Sequence, residues 1–517
     1  MSSSVSTNKR IAKNTILLYF RMLLIMAVSL YTSRVILRVL GVEDFGLYNI
    51  IGGVVVLFSF LNNAMSNATQ RFLSYEIGRK DLIQLRKTFC MSINAHIIIA
   101  LILIVLAETI GLWFVNNYLN IPADRIVAAK WVYQFSILTF IFNILRVPYN
   151  ATIIAHERMS FYAYISIIES LLKLGIVYIL TLGDSDKLIL YAILISIVAF
   201  VVNIVYIFYC SRTFESSKYT LFWDKNLLGK LMRFSGWSMF GSFASIGAIQ
   251  GTNILINIFK GVALNAAFGI ANQASNAIYS LISGFQVAYN PQIVKMYARN
   301  EKENLWKFIF QVSKFSYFLF FSIAIPVLFK MDFILGLWLD KVPQYTVEFC
   351  QLMIVYFLFD ALQAPIWMLV YATGNIKKYQ IYVSLITLTV LPISFICLYL
   401  GFSPVIVLVL RVITNIFCSI FRMMLVRKMI DFPSFTYCKV VLTRVFSVTL
   451  LSFLTLIFIN HIFPTTLIYK WVFIIISPFT IILISFFAGF NLIDRMSLIV
   501  KLKTFFTNDS ENNSIQE

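Results

Sequence analysis

Long apolar runs, broken by short polar stretches, set the plan of the chain. Between Leu17 and Phe490, runs of roughly 20 or more residues recur, each long enough to cross a bilayer core of about 30 Å as a helix. About fourteen can be marked, starting near Asn14, Gly46, Thr88, Ala128, Phe161, Lys187, Lys230, Asn265, Phe308, Thr346, Tyr379, Pro404, Val440 and Leu467. They predict an all-α, polytopic membrane protein. The first run has charged residues inside it and leads straight into the next with no small-residue cleavage site, so it is expected to stay as a span. The connections are short, the longest being those between spans 2 and 3 and between spans 6 and 7, and no soluble domain is expected in them.

The pattern repeats. At an offset of 220, Gly41 and Val42 fall on Gly261 and Val262, Ala68 on Ala288, Arg79 on Arg299 and Lys87 on Lys307. At 217, Leu145, Pro148, Ala155 and Tyr162 fall on Leu362, Pro365, Ala372 and Tyr379. The matches keep their order and respect span boundaries, as copies of one unit should. The expected organisation is a tail over 1–13, a six-helix bundle over 14–212, a second over 230–428, two additional helices over 440–490 and a polar tail over 491–517. Each copy has an even number of spans, so the two should be related by an axis along the membrane normal.

Polar positions inside the runs are ordered too. In span 8, Asn265, Asn272, Asn276, Ser283 and Asn290 lie within about 20° of one another on a helical wheel. Its counterpart, span 2, places Asn49, Asn63, Asn67 and Ser74 on one face with Gln70 beside it, and span 7 gathers Ser235, Ser238, Ser242, Asn253, Asn257 and Lys260. Lipid cannot satisfy these groups, so they face other helices or water. Helix-to-helix hydrogen bonding explains any one of them, at about a kcal/mol each. Three long stripes in the first two helices of a repeat favour a hydrophilic cavity between bundles.

Composition sharpens this picture. Of 517 residues, 60% are hydrophobic and 13% charged, with a mean hydropathy of +0.84, against about 25% charged in a soluble domain. The net charge of +19 is topological, because Lys and Arg cluster in alternate connections: Arg71, Arg79, Lys80, Arg86 and Lys87 after span 2, Lys218, Lys225 and Arg233 after span 6, Lys295, Arg299 and Lys302 after span 8. By the positive-inside rule both termini are expected in the cytoplasm, and nucleic acid is not an expected partner. The six cysteines and three histidines have neither disulfide-framework nor metal-ligand spacing, and no Gly-rich phosphate loop ending in Lys-Ser/Thr is present. No cofactor, metal or catalytic residue is expected.

Charges inside spans are expensive, at about 2.5 to 3.5 kcal/mol each at mid-membrane. They include Arg21, Arg34 and Arg38 in span 1, Glu108 in span 3, Glu169 and Lys173 in span 5, Lys314 in span 9, Asp360 in span 10 and Arg411 in span 12. Arg21, Arg38, Lys314 and Arg411 lie near enough to an end to snorkel. Glu169 and Lys173, at i and i+4, are placed to neutralise each other. Arg34, with Arg38 one turn away, is favoured as an anion contact, since a guanidinium forks onto phosphate oxygens. Asp360 is open to three roles: counter-ion, coupling-ion site or proton carrier.

The stretch RVLGVEDFGLYNIIGGVVVLFSFLNNAMSNATQRFLSYEIGR from Arg38 to Arg79, with GVALNAAFGIANQASNAIYSLISGFQVAYNPQIVKMYA from Gly261 to Ala298, resembles the polysaccharide-transport branch of the multidrug, oligosaccharidyl-lipid and polysaccharide (MOP) flippase superfamily, above all the O-antigen and capsule repeat-unit flippases. The resemblance covers spans 1 to 12. It implies two six-helix lobes working by alternating access in the bacterial inner membrane. The implied cargo is an undecaprenyl-pyrophosphate-linked oligosaccharide for O-antigen, capsule or exopolysaccharide biosynthesis. Cationic cavity positions would be Arg34, Arg38 and Lys260, with the amides Asn63, Asn67, Gln70, Asn253, Asn257, Asn272, Asn276 and Asn290 along the sugars. Expected partners are the bilayer, the lipid-linked cargo, polymerase and chain-length proteins of the same pathway, and H+ or Na+ as coupling ion. Three rivals remain: a drug or cation antiporter of the same superfamily, which should line its cavity with carboxylates; an integral-membrane polymerase or ligase, which should expose a large outer loop; and a scaffold with no transport of its own.

Overall fold

The computed structural model describes residues 17–29, isolated positions between 31 and 51, and 59–491 apart from 119–120, 122, 182–185, 261, 340–341 and 463–465, together with 495. Within these helices the side chains of 59–64, 114, 118, 123, 257, 262–263 and 265–266 lie outside the description. The described residues are helical and contain no strand.

Fourteen segments follow the order of the apolar runs. They are α1 (Leu17–Ser29), α2 (Ser59–Arg79), α3 (Leu82–Leu106), α4 (Ile126–Ala155), α5 (Met159–Ile179), α6 (Lys187–Thr213), α7 (Lys225–Lys260) and α8 (Val262–Ala298). Then come α9 (Lys302–Phe329), α10 (Thr346–Thr373), α11 (Lys377–Tyr399), α12 (Val405–Ile430), α13 (Ser434–His461) and α14 (Leu467–Gly489). Eleven of the helices are long and apolar enough to span a membrane, so the chain is a multi-pass membrane protein. α8, 37 residues long, is not among the eleven, because its stripe of amides and hydroxyls dilutes the apolar content. A helix that polar is stable only when shielded from lipid. It packs on α2, α4, α7, α9 and α10.

The packing is doubled along the chain. α2 lies on α4 as α8 lies on α10, α4 on α6 as α10 on α12, and α3 on α4 as α9 on α10. The backbone repeats at finer grain. Lys80 and Asn300, 220 apart, both take left-handed φ (59° and 58°), as do Glu157 and Gly374, 217 apart (61° and 77°). Pro148 and Pro365 both sit inside helices, in α4 and α10, where each lacks an amide hydrogen to donate back along its helix. α13 and α14 pack on α9, outside the doubled set.

The two halves meet at the ends that carry the basic residues. α2 packs against α7 and α8, and a Cβ on Gly78 would stand 2.7 Å from the Cβ of Ala298 and 2.8 Å from the Cα of Lys295, so only glycine permits that approach. The three-residue turn after α4 carries Glu157, whose carboxylate pairs with Lys295 of α8 at 2.5 Å and accepts from the Gln292 amide at 2.6 Å. Reciprocally, Arg71 of α2 donates to the carbonyls of Ala372 (2.8 Å) and Tyr371 (3.2 Å) in the last turn of α10. Each repeat's second helix therefore reaches the C-terminal end of the other's fourth or the turn that follows it.

Two expectations about intramembrane charge change. Lys314 does not snorkel: it is 2% exposed, with its ammonium 5.3 Å from the Phe490 ring, because α14 covers that flank of α9. Glu169 is not neutralised by Lys173 alone, since Arg146 of α4 reaches it as well.

Candidate functional site

A cavity of about 420 Å³ lies inside the N-terminal helices, lined wholly by residues between Arg21 and Tyr206. Its walls follow from helical spacing. On α1, Arg21, Ile25 and Ser29 are four apart and share a face; on α4, Arg146 and Asn150 do the same. On α5, Tyr162, Ser166, Glu169 and Lys173 recur at i, i+4, i+7 and i+11. Tyr191 and Tyr206 of α6 close the remaining side.

Charge concentrates on one carboxylate. The Arg146 guanidinium donates to Glu169 Oε2 at 2.8 Å, and the Lys173 ammonium to Oε1 at 2.7 Å. Glu169 is 18% exposed and Arg146 21%, whereas Lys173, at 43%, keeps a face towards open space. Arg21 stands opposite with its guanidinium carbon 4.4 Å above the Tyr162 ring, and its Nε is buried without a hydrogen bond. Asn150 Oδ1 is likewise buried and unbonded. Three cations face one anion, with an Arg21 N–H and an Asn150 carbonyl oxygen left unbonded, so the cavity carries a net positive charge.

The residues picked from sequence that the structure describes lie elsewhere. Arg34 and the side chains of Asn63 and Asn257 fall outside the described residues. Arg38, Asn67 and Asn276 are exposed; Gln70, Lys260 and Asn272 are half-buried. Asn253 and Asn290 are half-buried, each with a buried, unbonded Oδ1. Asp360 accepts from the Tyr279 hydroxyl, which in turn accepts from the Gln286 amide at 3.0 Å, so a tyrosine and a glutamine hold it inside α8 and α10. None of the described ones among these residues lines the N-terminal cavity.

Sequence reasoning found Arg21, Glu169 and Lys173 but set them aside as snorkelling or self-paired. It passed over Arg146 and also Arg422 of α12, which is 7% exposed with Nε and Nη1 buried and unbonded. The signal for both was present, an arginine well inside an apolar helix. Among the described residues no group of three or more His, Cys, Asp or Glu could hold a metal ion.

No family model matches the sequence, and no curated protein does. Solved structures do resemble the fold. A MATE transporter in its straight conformation superposes with a TM-score of 0.69 at 14% identity over 82% of this chain and 96% of that one. A multidrug resistance MATE family transporter of the MOP superfamily, in an outward-facing conformation, gives 0.65 at 14% identity, covering 83% and 98%. A MOP superfamily transporter from Pyrococcus furiosus, described as having a binding pocket of reversed polarity that suggests a different function, gives 0.63 at 14% identity, covering 81% and 96%. The chain thus has the fold of these transporters and exceeds them in length.

Proposed function

We propose that the chain is an alternating-access translocase that moves an undecaprenyl-pyrophosphate-linked oligosaccharide from the cytoplasmic to the outer leaflet of a bacterial inner membrane. The observation that carries this reading is the charge balance of the N-terminal cavity, Arg21, Arg146 and Lys173 against Glu169. A guanidinium and an ammonium that already share a carboxylate, with a second guanidinium free to add to them, match the oxygens of a phosphodiester. Cavities of this volume take small ligands or headgroups, so the pyrophosphate and first sugar enter while the lipid tail stays in the bilayer. The basic ends, cytoplasmic by the positive-inside rule, are where the halves touch, an arrangement that suits a state closed to the cytoplasm. An anion leaving a negative-inside cell gains about 2.3 kcal/mol per charge per 100 mV, which supplies part of the drive.

The second reading, efflux of cationic drugs, is favoured by what the solved neighbours are called. A cavity with three cations and one carboxylate would repel such cargo, and the neighbour described as having reversed pocket polarity offers a precedent within this fold for a different function. The test is the outer-face accessibility of lipid-linked oligosaccharide in cells lacking the gene. Wild type should restore it, and Arg146→Ala should lower it at least tenfold at normal membrane levels. Intermediate that reaches the outer face without the protein, or cells that become sensitive only to lipophilic cations, would overturn the proposal.

A further inference from the structure

Glu169 sits inside the cavity proposed for cargo and occupies the same cations that cargo would need. Its two oxygens are divided between Arg146 of α4, at 2.8 Å, and Lys173 one turn along α5, at 2.7 Å. The other groups that face it are the Tyr206 hydroxyl of α6, whose ring lies 5.5 Å from the Arg146 guanidinium carbon, Tyr162 on its own helix, and Arg21 of α1 beyond that ring. Among the described residues no second carboxylate lines the cavity. Glu169 is thus a tethered anion in an anion site.

We infer that Glu169 is a competing internal ligand, so that a phosphodiester bound at Arg146 and Lys173 displaces it and the displaced carboxylate takes up a proton. This rests on the proposed function for the identity of the cargo, but the linkage is a property of the cavity alone. A phosphodiester and the Glu169 carboxylate crowded onto the same two cations repel each other, more strongly in the protein's low effective dielectric than in water. That repulsion vanishes when the carboxyl is neutral. Anion and proton therefore bind together, and by reciprocity each strengthens the other by the same factor. One proton passes from buffer acid in solution to a Glu169 oxygen, leaving the conjugate base behind, while Arg146 and Lys173 keep their protons and shift their N–H hydrogen bonds from the carboxylate to phosphate oxygens. The transporter loads a proton with its anionic cargo, the reverse of a site in which a proton displaces a cation.

The experiment uses the purified full-length protein in nanodiscs of zwitterionic lipid and P1,P2-dimethyl pyrophosphate as probe, which stays doubly ionised throughout. Calorimetric titration in buffers of different ionisation enthalpy counts protons taken up on binding. The expected result for wild type is net uptake, with affinity rising as pH falls from 8 to 5. Glu169→Gln keeps the side-chain size and removes the charge; it should bind about tenfold more tightly with no uptake and a flat pH profile. Glu169→Asp, too short to bridge both cations, should retain uptake. If binding is absent in wild type and Glu169→Gln alike, or uptake is unchanged in Glu169→Gln, the inference falls; if Glu169→Gln does not fold, wild-type uptake alone decides. A third arm adds anionic phospholipid to the discs. Unchanged probe affinity is expected, whereas its loss would give the site to a bilayer headgroup and overturn the cargo assignment. A failure of flipping in cells with intact proton-linked binding in vitro would overturn the function and leave the linkage standing.

Discussion

Glu157 stands where its repeat counterpart is Gly374, in a left-handed turn that charges a side chain about 1–2 kcal/mol over glycine. Its carboxylate, 1% exposed and bound to Lys295 and Gln292, is the reason a non-glycine is kept there. The neighbouring His156 stacks on Phe214 at 4.2 Å, and burial, then the Lys295 and Arg158 charges, push it down to about 4 from 6.5. An unfolded chain therefore binds a proton near pH 6.5 that the folded chain refuses until about pH 4. Stability is full above 6.5 and declines between 6.5 and 4, by at most about 3 kcal/mol. Thermal unfolding midpoints measured across that window should fall in wild type and stay closer to level in His156→Phe. At this scale the sequence was legible only in part. Glu169 and Lys173 are four residues apart and their pairing can be read from spacing, but Arg146 meets them from 23 positions away across a helix contact that no local pattern announces.

At the scale of elements more was readable, because hydropathy and helical period are local. The fourteen helices and the polar stripe of α8 were both on the face of the sequence. What local pattern withheld was where a cavity opens: the N-terminal one is lined from α1, α4, α5 and α6, none of which carries a predicted polar stripe. Gly78 shows why helix partners matter. A Cβ there would meet the Lys295 backbone at 2.8 Å, and backbone cannot step aside as a flexible side chain does. Gly78→Val should part α2 from α8, lengthening the distance between spin labels on the exposed Lys80 and Lys302 by several ångströms in double electron–electron resonance. An unchanged distance would show that the helix contact is not what closes this end.

For the whole molecule, the repeat that appeared as offsets of 220 and 217 reappears in backbone conformation at Lys80 and Asn300 and at Glu157 and Gly374. It survives in geometry more faithfully than in residue type, since a left-handed turn tolerates Lys, Asn, Glu or Gly while demanding the same φ. The reciprocal contacts it creates are chemically unlike: an ion pair with an amide on one side, a guanidinium on two carbonyls on the other. Both contacts join one half to the other, so both must break before the halves can part at this end. Glu157→Gly and Arg71→Gln should each shift the spin-label distance distribution modestly, and the double variant by more than the sum of the two. An additive result would mean that each contact acts alone. Two fastenings in parallel also change what thermal motion can do. Breakage of one leaves the other holding, so brief fraying at the basic ends does not part the two halves.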